Sequence, residues 1–373
     1  MTRSEQCQRV ERVVVKVGTS TLTHPTGEMN LFRLETLVRE LADLKNRGVE
    51  VILVTSGAVG AGIGKLGGAK PSTMPEKQAM AAIGQGALLH MYEKFFAEYG
   101  KTVGQILLTK EDLADRGRYL NARNTLFALL SYGAIPIINE NDTVTVDEIK
   151  FGDNDTLAAL VATLIDADLL ILLSDIEGLY SENPKKNPAA TLIKEVTEID
   201  EGIFSLADGA GSEFASGGMQ TKISAAKIAT LAGIPMIIAS GEHTGEIKRI
   251  LDGEECGTFF RSSHLKVKTR KCWLAWSAMA KGIIFVDEGA FNAISKSGKS
   301  LLPIGITAVS GRFDVGSVVS LKNHLGKEFA KGIVNYSSMD LEKIKGKRTY
   351  EIKNILGDKD YDAVVHRDNL SLN

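Results

Sequence analysis

Cysteine is scarce in this 373-residue chain: Cys7, Cys256 and Cys272 stand far apart and odd in number. That excludes a disulfide-built scaffold, and the spacing does not match a zinc site. Long apolar runs are missing too. Charge or glycine interrupts each stretch well before the ~18 residues a membrane-spanning helix needs. Met1–Glu11 is polar and charged, without the apolar core of a secretory signal. Internal repeats and low-complexity tracts are absent. The expectation is a soluble cytoplasmic protein. Its composition, 44% hydrophobic and 24% charged, is that of an ordinary globular chain. At roughly 100–200 residues per domain, the length predicts two domains.

The net charge of −2 conceals an asymmetry. From Arg261 to the end there are 19 basic and 11 acidic residues, which leaves 25 basic and 35 acidic before it. Such a change of sign suggests two modules. The basic end either attracts nucleic acid or is a solvated surface, and the second reading is the commoner one.

The first part alternates strands with helices. Val13–Val17, Val49–Val54, Val103–Leu108, Ile135–Ile138, Leu169–Leu173 and Ile234–Ala239 read as strands. Leu31, Leu34, Leu37, Leu41 and Leu44 recur at helical spacing, with Gly48 as the stop. Further helices are predicted over Glu76–Tyr99, from an Asn121 cap through Ser131, over Thr156–Leu164 with Asn154 or Asp155 as cap, and over Thr221–Leu231. This order predicts an α/β fold: a mostly parallel sheet covered on both faces, a three-layer αβα sandwich. The segment 261–280 reads as a linker between a first domain (1–260) and a second (281–373). The second domain carries short strands at Gly282–Asp287, Gly305–Ser310, Ser317–Leu321 and Lys331–Tyr336, with turns at Gly289, Gly298, Gly311 and Gly316. Asp360–Asn373 is a further strand or tail. It reads as a small β-rich barrel or sandwich.

Ligands of open parallel sheets bind beyond the carboxyl ends of the strands. Those ends carry Lys16, Gly18 and Thr19; Ser56 and Gly57; Asn139, Asn141 and Asp142; Ser174 and Asp175; Ser240 and Gly241. Five polar ends on otherwise apolar strands describe one lined site.

Three motifs mislead. Gly62-Ile63-Gly64-Lys65-Leu66-Gly67 matches a dinucleotide fingerprint but lies several residues past its strand, and reads as a flexible loop. Ser297-Gly298-Lys299-Ser300 ends like a phosphate-binding loop, yet Ala293 stands where the first glycine belongs. His366-Arg367-Asp368 has protein-kinase spacing but no room downstream for a metal-binding motif.

Three others carry chemistry. Lys16 ends an apolar strand before a glycine turn. There it either meets phosphates, helped by the N–H groups of Gly18–Ser20, or snorkels to solvent. Ala215-Ser216-Gly217-Gly218-Met219-Gln220-Thr221-Lys222 leads into a helix whose N-terminus suits phosphate, with Lys222 in reach of a transferring group. Lys150-Phe151-Gly152-Asp153-Asn154-Asp155 holds more acids and amides than a helix cap needs. The extra carboxylate either positions Lys16 or Lys222 or helps place Mg²⁺. All six histidines lie outside these motifs. An acceptor carboxylate is already ionised at neutral pH and needs no base, so this absence fits a kinase that forms an acyl phosphate.

As a set these segments resemble the glutamate 5-kinases of the amino-acid kinase superfamily. The match extends through Val54-Thr55-Ser56-Gly57-Ala58, Leu120-Asn121-Ala122-Arg123-Asn124-Thr125 and Ile138-Asn139-Glu140-Asn141-Asp142. Ser300-Leu301-Leu302-Pro303-Ile304-Gly305-Ile306 and Gly311-Arg312-Phe313 resemble the PUA domain appended to many bacterial members. The resemblance implies ATP with Mg²⁺ as cosubstrate, L-glutamate as acceptor, proline as inhibitor, and a place at the first step of proline synthesis. It further implies a homo-oligomer, a dimer or tetramer. It places Lys16 and Lys222 on the phosphates, with Asp155 organising them. It gives ATP Ser174, Asp175, Ser216, Gly217, Gly218, Met219, Gln220, Thr221 and Lys222. Glutamate receives Ser56, Gly57, Asp142 and Asn154. No protein metal ligand is assigned. Ala215-Ser216 replaces the family's usual Gly-Thr, and Ser174-Asp175 its usual Thr-Asp; both keep the hydroxyl. N-acetylglutamate kinase and aspartokinase are the near alternatives, against which the β-rich module argues. An RNA-binding role for the basic module is the alternative from another class.

Overall fold

The computed structural model describes residues 2–24, 26, 28–67, 71–145, 154–184, 187–207, 218–262, 280–357 and 361–372. The chain forms two compact units, one of Met1–Leu113 with Gly117–Lys266 and one of Val267–Asn373 with Ala114–Arg116.

The first unit is built on eight strands: β1 (Arg12–Val17), β2 (Glu50–Val54), β3 (Val103–Leu108), β4 (Ile135–Glu140), β5 (Leu169–Ser174), β6 (Glu195–Val196), β7 (Met236–Ser240) and β8 (Thr258–Phe260). Their order is β3-β4-β2-β1-β5-β7-β8-β6. The six from β3 to β7 are mutually parallel, and β8 turns antiparallel to β7. Helices cover both faces, which is why the central strands read as unbroken apolar runs instead of alternating ones.

Alternation along β1 sends its residues to opposite faces. Val13, Val15 and Val17 share a core with Leu34, Leu37, Leu41 and Leu44 of the helix Leu31–Asn46. Lys16 therefore points to the other face, where the helix Asn154–Leu164 lies. In that helix Asp155 and every residue from Leu157 to Leu164 are buried.

The expected strands are present, several with shifted ends. β4 continues two residues past its expected end, so Asn139 and Glu140 are buried within the strand. The helix expected from Asn121 instead runs Arg116–Ser131. Its first turns are polar, exposed apart from Tyr119, and carry too few apolar residues to mark a period. The helix expected from Thr156 already includes Asn154 and Asp155. Neither residue stands outside it as a cap.

The glycine run from Gly62 is not a flexible loop. Gly62–Lys65 form the last turn of the helix Ala58–Lys65, which Leu66 ends and which packs against the helix Met74–Glu98. A Cβ on Gly62 would lie 2.0 Å from the carbonyl oxygen of Met80, and one on Gly84 would lie 1.7 Å from that of Ala58. The two backbones touch, and only glycine fits between them.

In the second unit, β9 (Gly282–Val286), β10 (Ile306–Ser310), β11 (Val318–Lys322), β12 (Glu328–Val334) and β13 (Val365–Leu372) form one sheet. The order is β10-β9-β11-β12-β13. Only the β9–β11 pair is parallel. Gly289 does not form the expected turn. It lies in the helix Glu288–Ser297, which Asp287 caps by accepting from the Ala290 N–H at 2.7 Å. Gly298, in the left-handed region at φ 58°, ends that helix. His366 and Arg367 belong to β13.

Candidate active site

Lys16, Asp155 and Lys222 come from three separate elements and meet under cover. Lys16 Nζ lies 2.6 Å from Asp155 Oδ1. Lys222 Nζ donates to Asp155 Oδ2 at 2.9 Å. Lys16 is 4% exposed, Asp155 0% and Lys222 6%. Burying ions costs several kcal/mol each unless partners compensate. Here one carboxylate spans two ammonium groups, and the three groups together carry one positive charge in excess. Thr221 Oγ1 stands 3.2 Å from the same Oδ2 and 2.8 Å from the Gly218 carbonyl oxygen.

A row of amides runs alongside. Asn154 Nδ2 reaches three acceptors: the Thr55 carbonyl at 2.8 Å, Ser56 Oγ at 2.9 Å and Asn139 Oδ1 at 2.9 Å. Asn139 Oδ1 also accepts from the Glu140 backbone N–H at 2.9 Å, while Asn139 Nδ2 donates to Gln85 Oε1 at 2.7 Å. Asn154 Oδ1 is buried and takes no hydrogen bond from a described residue. Behind the row, the buried hydroxyls of Thr55 and Tyr92 lie 2.8 Å apart. Burial raises the Tyr92 phenol above its ordinary range and keeps it neutral.

Three helices begin here on glycine, with no side chain capping their first N–H groups: Thr19–Leu22 after Gly18, Ala58–Lys65 after Gly57 and Met219–Leu231 after Gly218. The supporting helices differ. Asn30 and Thr73 cap theirs with side-chain oxygens. Uncapped N–H groups and the helix dipole both favour an anion. Gly57 has φ 98°, which a side chain would strain. Around Gly218 a Cβ would meet nothing within 4 Å.

At the end of β5, Ser174 is buried and donates to Asp175 Oδ1 at 3.1 Å, while Asp175 faces solvent. Ser240 pairs with Ser174 across the sheet. Met219 is buried and Gln220 exposed at the start of their helix. Asp142 is half-buried in the turn after β4. Ser216, Gly217, Asp153 and the rest of 146–153 lie outside the described residues.

The structure thus joins Lys16, Asp155, Thr221 and Lys222 in one cluster, and Ser56 with Asn154 in a second. In the structure Asp155 contacts both lysines. Sequence reasoning placed Asn139 among the strand ends that line the site without assigning it a ligand, and it passed over Gln85 entirely. Gln85 lies mid-helix among alanines and glycines, where no local pattern marks it.

The amino acid kinase family model matches residues 11–240, and the PUA domain model matches 282–356. The glutamate 5-kinase of Moorella thermoacetica is 58% identical over 363 residues, which cover 97% of this chain and 96% of the relative. That of Caldanaerobacter subterraneus is 56% identical, covering 96% of this chain and 97% of the relative. That of Carboxydothermus hydrogenoformans is 55% identical, covering 99% of each. The chain belongs to the amino acid kinase family, with an appended PUA domain. Within that family it belongs with the glutamate 5-kinases, and it is an enzyme.

Proposed function

We propose that this chain transfers the γ-phosphate of ATP to the side-chain carboxylate of L-glutamate, giving L-glutamyl 5-phosphate. The observation that carries this reading is the buried carboxylate of Asp155 bridging Lys16 and Lys222.

Attack by a carboxylate needs no base. The obstacle is repulsion between the acceptor and the polyphosphate, and positive charge placed in advance removes it. Lys16 and Lys222 supply that charge on opposite sides of Asp155. Asp155 fixes both ammonium groups without taking part in bond formation. The surplus positive charge of the triad suits a phosphoryl group passing between acceptor and leaving group. The uncapped N–H groups at Gly218 receive phosphate oxygens. Ser174, Asp175 and residues 216–222 hold the remainder of ATP. Ser56, Gly57, Asp142 and Asn154 hold glutamate, with Asn154 Oδ1 free to accept from its ammonium group.

Among the described residues, no group of three or more His, Cys, Asp or Glu could hold a metal ion. Mg²⁺ commonly needs only one or two protein carboxylates beside substrate phosphates. We infer that it arrives on the nucleotide, where it supplies charge neutralisation.

The division of labour follows the domain reading: residues 1–260 catalyse, 261–280 link, and 281–373 form the appended module. A place at the first step of proline synthesis, inhibition by proline, a cytoplasmic setting and a homo-oligomeric state belong to the same proposal. They are supported by the likeness to the glutamate 5-kinases. Among the described residues no helix is long and apolar enough to cross a membrane.

Trapping the product with hydroxylamine tests the reading. With ATP and Mg²⁺, glutamate should yield hydroxamate, and N-acetylglutamate and aspartate far less. Turnover of aspartate alone would sink the glutamate assignment.

A further inference from the structure

Two backbone groups fix the direction of the amide row. The Thr55 carbonyl only accepts, so the Asn154 amide turns its NH₂ toward it and leaves Oδ1, buried and without a hydrogen bond from a described residue, as the last acceptor of the row. The Glu140 N–H only donates, so Asn139 turns Oδ1 toward it and its NH₂ toward Gln85. Gln85 Oε1 must then accept, and its Nε2 is left outward. Gln85 is half-buried, and no hydrogen bond from Nε2 to a described residue is formed. The row Gln85–Asn139–Asn154 is thereby polarised. It ends in an acceptor at Asn154 and in a donor at Gln85.

We propose that Gln85 is a substrate-binding residue that donates from Nε2 to a carboxylate oxygen of the acceptor amino acid, while Asn154 Oδ1 accepts from its ammonium group. The row reads the opposite charges of an α-amino acid head with uncharged side chains. Neutral amides suit that task, because a lysine or aspartate in the row would favour one charge of the zwitterion and bring a larger desolvation cost. The inference rests on the glutamate reading and deepens it by adding a specificity residue that no motif contains.

Gln85→Glu separates this role from simple support of Asn139. The variant keeps an oxygen to accept from Asn139 Nδ2 but replaces the outer donor with a negative charge. If Gln85 touches the substrate, KM for glutamate rises roughly tenfold or more, the scale of losing a hydrogen bond to a charged group. KM for ATP and Tm should stay where they are. Gln85→Met, which removes donor and acceptor without adding charge, should raise KM for glutamate by a smaller factor. A Gln85→Glu enzyme with the KM of the parent would overturn the inference, as would equal increases in KM for glutamate and ATP. The parent enzyme is assayed alongside. If it does not turn over glutamate, the functional reading itself fails, whatever the variants do.

Discussion

Lys16 and Lys222 lie on different elements, far apart in the chain, and hold the two oxygens of one buried carboxylate, at 2.6 and 2.9 Å. Each ammonium group depends on the same partner, so the pair responds as a unit when Asp155 changes.

Asp155→Asn should therefore harm more than either lysine change. It leaves two buried ammonium groups facing a neutral amide, and breaking a buried ion pair costs ~3–5 kcal/mol. Thermal unfolding should show a large fall in Tm for Asp155→Asn and a smaller one for Lys16→Met, in which one pair survives. A non-hydrolysable ATP analogue should restore more stability to Asp155→Asn than to the parent, because phosphate replaces the lost negative charge. An equal shift in both proteins would count against Asp155 as the organiser of the lysines.

Asp142→Ala should raise KM for glutamate more than KM for ATP. Initial rates with each substrate varied in turn decide the matter. Equal effects on both constants would remove Asp142 from the glutamate site.

Gly84→Ala tests the backbone contact that supports the site. Its Cβ would lie 1.7 Å from the Ala58 carbonyl oxygen, in the first turn of the helix that begins beside Ser56 and Gly57. Relief requires the helices to part, at ~1–3 kcal/mol or more. Denaturant unfolding should register that loss, and KM for glutamate should rise as Gly57 moves. Full stability in Gly84→Ala would contradict the packing described.

Glu40 gives a pH dependence of defined sign. Burial pushes its carboxyl above the ordinary range, with Glu246 adding to it, while the N–H groups of Gly245, Ile247 and Lys248 pull the other way. A carboxyl raised in the folded state contributes stability below its ordinary value near 4.5, and this is lost as pH rises through the folded value. The stability of the parent relative to Glu40→Gln should therefore fall as pH climbs out of the acid range. A difference that grows with pH would reverse the assignment.

The central strands were legible because they are buried on both faces and read as plain apolar runs, whereas the short β6 and β8 at one edge of the sheet were not anticipated. The lysine triad was half legible. Lys16 and Lys222 stood out through glycine contexts at a strand end and a helix start, but only the tertiary fold brings Asp155 between them. The first turns of the helix Arg116–Ser131 escaped notice because they bury little besides Tyr119. The glycine run from Gly62 looked like a loop, since glycine lowers helix propensity. Its reason, contact with a second backbone at Met80, is invisible along the chain. Gln85 was missed on the same ground. Its meaning depends on Asn139 and on which way that amide faces.

The most direct test of the two-lysine account is the kcat of Lys222→Ala, measured on protein shown to be folded and with both substrates saturating. Loss of one donor of positive charge to the transition state should lower kcat by about 10²–10³, with KM for glutamate close to that of the parent. Activity within a few-fold of the parent would show that Lys222 does not act on the transferring phosphoryl group, and the clamp built around Asp155 would have to be given another purpose.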